Sequence, residues 1–289
     1  MNDNIVTGID IGGSHITAAL IDLDAHSIIR HSLVRHQVNS KGSAEQVIEE
    51  WSNSITQCKA CHAGASNKIG IAMPGPFDYE KGISLIKGLD KYEALYNLNV
   101  KELLANKLEA DPADIVMMND ASSFLKGEVF GGSARDCNNV IGITLGTGLG
   151  SATFKDGIIY DGDLYYTPYK DSTAEEYLST RWFIKRYQEL SGTIVENVKE
   201  IAERVPFDES AAAVFVEFGN NLGEVLAAYI KSHKAETVVI GGNIINAWEL
   251  FIPHAATVLQ EHGLHVSVVK AGLGEEAALL GAGSLCKAR

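Results

Sequence analysis

Basic residues are scarce in this chain: 24 lysines and arginines stand against 37 acidic residues in 289, a formal net charge of −13. Clustered basic side chains are what neutralise nucleic-acid phosphates, so this balance argues against non-specific binding of DNA or RNA. A nucleotide is not excluded, because it needs only a local nest of backbone N–H groups. No apolar run reaches the roughly 18 residues that a membrane span requires. The first residues lack a basic segment followed by an apolar one, so no secretory leader is expected and the cytoplasm is the expected compartment. Cysteine is sparse too: Cys58, Cys61, Cys137 and Cys286 make no disulfide framework. Cys58 and Cys61 form one CxxC with no second pair and no nearby histidine pair, so a tetrahedral metal site is not expected there. Their helical spacing from Trp51 and Ile55 predicts thiols that face the core.

What is present is enough for real cores. The chain is 46% hydrophobic and 21% charged, and its length suits two lobes of ordinary size. Residues 5–10 and 16–21 are short apolar runs joined by Gly12-Gly13-Ser14, which predicts a hairpin. Residues 44–62 carry Val47, Ile48, Trp51, Ile55 and Cys58 at helical spacing. A strand at 69–73 is stopped by Pro74-Gly75-Pro76. A helix at 99–108 has Asn99 as its candidate cap. A buried strand at 115–118 delivers Asn119-Asp120, and a helix is expected over 121–130. Strands at 140–145 and 151–154 flank Gly146-Thr147-Gly148-Leu149-Gly150. Helices are expected at 173–190 and 210–233. A strand at 237–240 ends in Gly241-Gly242-Asn243, and helices follow at 245–262 and 275–286. Strands alternating with helices predict α/β architecture.

One internal similarity organises the whole. Residues 8–22 and 142–156 share Gly8/Gly142, Gly12/Gly146, Ala18/Ala152 and Asp22/Asp156 at a single fixed offset. A strand–glycine turn–strand unit in each half predicts two related lobes whose turns face one cleft.

Such turns let backbone N–H groups approach a phosphate with no Cβ in the way. Asp10 stands at the mouth of the first turn, where a carboxylate can hold Mg²⁺ directly or through water. Thr147 can donate its hydroxyl to a phosphate oxygen. Two other nucleotide signatures fail: no lysine follows the glycines as a Walker A loop requires, and the GxGxG spacing leads into a strand rather than the helix of a dinucleotide fold.

With these segments in order, the chain resembles the ROK family of sugar kinases and related repressors. Asp10-Ile11-Gly12-Gly13-Ser14 resembles the family's first phosphate motif. Met73-Pro74-Gly75-Pro76 resembles its G-x-P-G segment. Asn119-Asp120-Ala121 with Gly127-Glu128 resembles its catalytic segment, 145–150 its second phosphate motif, and Gly241-Gly242-Asn243 its adenosine-side turn. The resemblance implies a two-lobed, actin-like (ribonuclease H-like) ATPase fold, each lobe a mixed sheet flanked by helices. It divides the chain into 1–118, with 275–289 packing back on it, and 119–274, with hinges near 118–120 and before the last helix.

The resemblance also implies roles. Asp120 is the expected base toward a sugar hydroxyl, with Asn119, Pro74, Gly75, Asp163 and Glu175 as sugar contacts. Asp10, Gly12, Gly13, Ser14, Gly146, Thr147, Gly148, Gly241, Gly242 and Asn243 are expected at the nucleotide and its phosphates, with ATP and Mg²⁺ as donor and cofactor. The family's zinc segment has no counterpart in 161–179, which holds no cysteine, so structural zinc is not expected. There Asp163 stands where the family has glutamate, and Tyr166 where it has histidine. This shortened arrangement is similar to that of the family's polyphosphate glucokinases. The expected activity is phosphorylation of the 6-hydroxyl of glucose or an N-acetylhexosamine. A polyphosphate donor and a non-catalytic sugar sensor are the alternatives. No DNA-binding domain is expected ahead of the first motif, and a homodimer is implied by the family alone.

Overall fold

A computed structural model of the protein describes residues 3–287. The packing makes two compact units: one runs to Arg135 and resumes at Glu275, and the other is Asp136–Gly274.

In the first unit, β1 (Ile5–Ile11) and β2 (His15–Asp22) form the expected antiparallel hairpin, closing with Ile11 opposite Ile16. β3 (Ser27–Ile28) and β4 (Val34–Gln37) both pair with β2. α1 (Ala44–Lys59) starts at a capping box in which the Ser43 hydroxyl and the Gln46 side chain each accept the other's backbone N–H. It buries Val47, Ile48, Trp51, Ile55 and Cys58, as its periodicity predicts. Cys61 departs from expectation: it lies past the helix end and is exposed, because the helical period that would turn it inward stops at Lys59.

β5 (Ile69–Met73) runs parallel to β1, and the small β6 (Phe77–Asp78)–β7 (Ile83–Ser84) hairpin follows it. α2 (Val100–Leu108) is capped by Asn99, as expected. β8 (Ile115–Asn119) runs parallel to β5 and leads directly into α3 (Asp120–Gly131). The sheet order is β3-β2-β1-β5-β8, with β4 also on β2.

In the second unit, β9 (Asn139–Leu145), β10 (Leu149–Lys155) and β11 (Ile158–Asp161) are antiparallel neighbours. A two-stranded ribbon, β12 (Pro168–Tyr169) with β13 (Ser172–Thr173), precedes α4 (Ala174–Tyr177). The single helix expected over 173–190 is two: α5 is Thr180–Ser191, and Ser179 between them is extended. The break has a cause, since Thr180 gives both its N–H and its hydroxyl to the carbonyl of Gly146, at 2.8 and 2.9 Å. α6 (Val198–Arg204) and α7 (Glu209–His233) follow. β14 (Thr237–Gly241) pairs parallel with β9. A short 3₁₀ turn leads into α8 (Trp248–Glu261), and β15 (Ser267–Lys270) pairs parallel with β14. The order is β11-β10-β9-β14-β15. Phe183, Phe215, Phe218 and Phe251 fill the core of this unit.

The repeat read from the sequence is therefore a repeat of structure. β1 and β2 correspond, at the same offset, to β9 and β10. The arrangement β2-β1-β5-β8 has the same strand directions as β10-β9-β14-β15.

The last helix, α9 (Glu276–Ser284), belongs to the first unit, where it packs on β1, β5 and α3. The backbones approach so closely that side chains would not fit between them. A Cβ on Gly8 would meet the carbonyl oxygen of Leu279 at 2.4 Å, and one on Gly127 that of Ala277 at 1.9 Å. This contact keeps α3 in the first unit, so the division falls after Arg135 rather than after residue 118. The final two residues of the expected 275–289 segment lie outside the described residues.

Candidate active site

Three parallel strands of the first unit, β1, β5 and β8, end on one edge of their sheet, the edge where open α/β sheets present ligand-binding groups. The register aligns Asp10 with Ala72 and Met73 with Asn119. The segments that emerge there are Gly12-Gly13-Ser14, Pro74-Gly75 and Asp120. The sheet thus gathers one glycine turn, one proline–glycine segment and one carboxylate from positions far apart in the chain.

Asn119 does two structural jobs. Its Oδ1 caps α3 by accepting from the backbone N–H of Ala121 and Ser122, at 2.9 and 3.3 Å. Its Nδ2 donates to the hydroxyl of Tyr79 at 3.2 Å, and Tyr79 in turn donates to the carbonyl of Met73 at 2.9 Å. A side chain at Gly75 would crowd this chain of bonds, since its Cβ would meet the Tyr79 hydroxyl at 3.2 Å. Cap and tyrosine together fix the start of α3, and with it the direction of Asp120, which is exposed. Glu128 is buried and accepts from the N–H of Ser133 at 2.7 Å, so this acid of the motif braces the end of α3.

Charge is concentrated on the same edge. The carboxyl of Asp10 is raised from 3.8 to about 7, first by burial and then by the like charge of Asp120; Arg35 opposes the shift and Glu275 adds to it. Arg35, on β4, donates to Glu275 at 2.8 Å. The first turn itself is tight: Gly12 N–H donates to the carbonyl of His15 at 2.9 Å. The carbonyl of Gly12 accepts from the hydroxyl of Tyr92 at 2.6 Å. Burial pushes that phenol well above its ordinary range. Ser14 is exposed, with its hydroxyl 2.9 Å from Nδ1 of His15.

The second unit builds its turn differently. Gly146 N–H donates to the carbonyl of Gly148 at 3.1 Å, and Thr147 is exposed at the tip. Glu175 accepts from Leu149 N–H at 3.0 Å and pairs with Arg181 at 3.3 Å, so it braces this turn. A Cβ at Gly148 would stand 2.7 Å from that carboxylate. Gly241 ends β14 opposite Thr144. Gly242 has φ +87°, and its Cβ would lie 2.3 Å from the carbonyl oxygen of Leu145, so the ends of β9 and β14 meet through a glycine. Asn243 and Asp163 are both exposed, and Tyr166 is 70% exposed.

Tyr79, Tyr92, Arg35 and Glu275 support the first unit's edge and escaped the sequence reading. None lies in a glycine motif, and Tyr92 reaches Gly12 from a separation of 80 residues. Among the described residues, no group of three or more His, Cys, Asp or Glu is set to hold a metal ion. No helix there is long and apolar enough to cross a membrane.

The ROK family profile matches residues 6–164 and 170–289. The chain belongs to the ROK family, and its fold is the actin-like ATPase fold of ROK sugar kinases. It is 23% identical to the glucokinase of Thermotoga maritima, over 98% of this chain and 97% of that one. It is 24% identical to the N-acetyl-D-glucosamine kinase of Mannheimia succiniciproducens, over 96% and 98%. The crystal structure of a ROK family glucokinase from Streptomyces griseus, in complex with glucose and AMPPNP, superposes with a TM-score of 0.77 at 21% identity, over 97% and 98% of the two chains. These relatives are phosphotransferases acting on sugar hydroxyls.

Proposed function

We propose that the protein is an ATP-dependent sugar kinase that phosphorylates the 6-hydroxyl of a hexose, glucose or an N-acetylhexosamine, with Asp120 as general base. The observation that carries this reading is the placement of Asp120. It opens α3 at the end of a parallel strand, on the edge that also holds Asp10 and the first glycine turn, and it is near enough to Asp10 to raise that group's pKa. Full-length similarity to sugar kinases supports the same class.

The chemistry asked of these residues is modest. A sugar hydroxyl is a weak nucleophile. Asp120 accepts its proton as the oxygen bonds to the γ-phosphorus, and the bond from that phosphorus to the leaving oxygen of ADP breaks. Asn119, its Oδ1 committed to the cap, has one Nδ2 hydrogen left for a sugar oxygen. Pro74, Gly75, Asp163 and Glu175 are the further sugar-contact positions of this proposal. Gly12, Gly13 and Ser14 in the first unit, and Gly146, Thr147 and Gly148 in the second, offer backbone N–H groups and hydroxyls to phosphates. Gly241, Gly242 and Asn243 serve the adenosine side.

The donor set of the first unit fits a hard divalent cation. Asp10 and Asp120 repel each other enough to move the Asp10 pKa, and a cation relieves that repulsion. Asp10 would hold Mg²⁺, directly or through water, and the metal would neutralise phosphate charge. With so few protein ligands, the remaining positions fall to water and phosphate oxygens.

A coupled ADP assay over glucose, mannose, fructose, glucosamine, N-acetylglucosamine and N-acetylmannosamine tests the reading. Sugar-dependent ADP release is expected, and Asp120→Asn is expected to lower it about a thousandfold while the sugar still binds. Binding of a sugar with no turnover from ATP or polyphosphate would instead identify a sensor.

A further inference from the structure

Phosphate brings negative charge to an edge of the first unit that already carries Asp10, Asp120 and Glu275. Cations near that edge are mostly taken. Arg35 is held by Glu275 at 2.8 Å, and Lys41 by Asp90 at 2.6 Å. Lys91 is different. Among the described residues no carboxylate forms an ion pair with it, and it is half-buried.

Its position is fixed by its neighbour. Tyr92 is fully buried, stands edge-on to Trp51, receives the carbonyl of Ser40 on its N–H at 2.6 Å, and places its hydroxyl on the carbonyl of Gly12. The segment carrying Lys91 is therefore strapped to the first glycine turn. The lysine stem lies against the middle of that turn: a Cβ built on Gly13 would meet Lys91 Cδ at 3.6 Å, ordinary van der Waals contact. Lys91 also lines a hollow of about 210 Å³ together with Ser40, Lys41, Asp90, Glu93 and Ala94. A half-buried lysine held over a phosphate-type turn, without an anion of its own, matches a phosphate ligand in charge and reach.

We infer that Lys91 is a further donor-binding residue, whose ammonium contacts the terminal phosphates of the phosphoryl donor held at Gly12-Gly13-Ser14. This deepens the kinase reading and rests on it for the identity of the donor. The shared chemistry is a phosphate chain, supplied by ATP or by polyphosphate.

Calorimetric titration of the full chain with ATP, ADP and polyphosphate of defined length, on wild type, Lys91→Met and Lys91→Arg, tests the inference. Lys91→Met is expected to weaken ATP binding about tenfold or more, the scale of a lost charge-assisted hydrogen bond. ADP should weaken clearly less, Lys91→Arg should retain most of the affinity, and neither Tm nor KM for the sugar should move. A Lys91-dependent affinity seen for polyphosphate and not ATP would support the site and identify the donor. Unchanged donor affinity in Lys91→Met would overturn the inference, as would an equal loss for ATP and ADP accompanied by a lowered Tm. Lys91-dependent donor binding without ADP release on any sugar would sink the kinase reading and leave the site standing. Turnover with an unmoved KM for the donor in Lys91→Met would do the reverse.

Discussion

The two glycine turns share one strand–turn–strand pattern and are held in opposite ways. In the second unit the nearby carboxylate, Glu175, is satisfied: it accepts from the N–H of Leu149 and pairs with Arg181, while Thr180 clamps the carbonyl of Gly146 with two bonds. In the first unit the nearby carboxylate, Asp10, is raised to about 7 by burial first and then by the like charge of Asp120, with Arg35 opposing and Glu275 adding. The brace there is a neutral phenol, Tyr92, on the carbonyl of Gly12. A satisfied carboxylate stabilises structure. A carboxylate kept among like charges stores a cost that a cation or a transferred proton relieves, and such costs concentrate at functional sites. The second turn is thus built to stay in place, and the first to take up charge.

The largest effect expected from this contrast concerns the rigid turn. Gly242→Ala puts a Cβ 2.3 Å from the carbonyl of Leu145 at φ +87°, whereas a Cβ at Gly146 meets nothing within 4 Å. Gly242→Ala should cost about 3 kcal/mol or more, and Gly146→Ala no more than about 1 kcal/mol. Urea unfolding of both variants measures this. Equal, small losses would show that the junction of β9 and β14 does not fix the turn.

A smaller effect of opposite sign belongs to Asp10. Between pH about 4 and 7 the unfolded chain releases this proton while the folded protein keeps it, from the values 3.8 and about 7. The group's contribution is therefore full below pH 4, declines as pH rises through this window, and is flat above it. Asp10→Asn should remove that decline and stabilise the fold at pH 8 by about 2 kcal/mol, a figure reduced for the carboxylate's partial exposure. The gain in stability should come with a loss of turnover. Glu175→Gln, which loses an ion pair and no repulsion, should not stabilise. Melting curves from pH 4 to 8 in EDTA make the comparison. A destabilised Asp10→Asn at pH 8 would erase the distinction between the carboxylates.

Much of this was legible in the sequence, because hairpins and the short apolar runs of buried strands are local patterns. Gly12, Gly146 and Asn119-Asp120 stand where strand periodicity ends, and the offset between 8–22 and 142–156 anticipated the matching strand orders of the two sheets. What stayed hidden depends on long-range contact. The break at Ser179 comes from the bonds of Thr180 to the carbonyl of Gly146, 34 positions before it. The assignment of α3 to the first unit comes from α9, whose small residues meet Gly127 only after folding. An Asn after a strand and before a helix is an ordinary cap, but that Tyr79 holds the other end of Asn119 depends on a contact 40 residues away. Glu175 was legible as an acid in a motif, but its bond to the N–H of Leu149 was not.

The smallest effect tests the brace that no motif announces. Tyr92→Phe keeps the ring that packs edge-on against Trp51 and removes only the hydroxyl on the carbonyl of Gly12. The expected loss of stability is about 1 kcal/mol, that of one neutral hydrogen bond. The consequence for the donor should be larger than this figure suggests. The same residue carries Lys91 beside it and restrains the turn, so KM for the donor should rise severalfold while KM for the sugar stays put. A turn held by its own hairpin bond, Gly12 N–H to the carbonyl of His15, would lose the stability and keep the donor KM. Thermal melts and donor-saturation kinetics on this one variant separate the cases. An unmoved donor KM would leave the first turn as self-supporting as any hairpin, and the contrast with the clamped second turn would rest on charge alone.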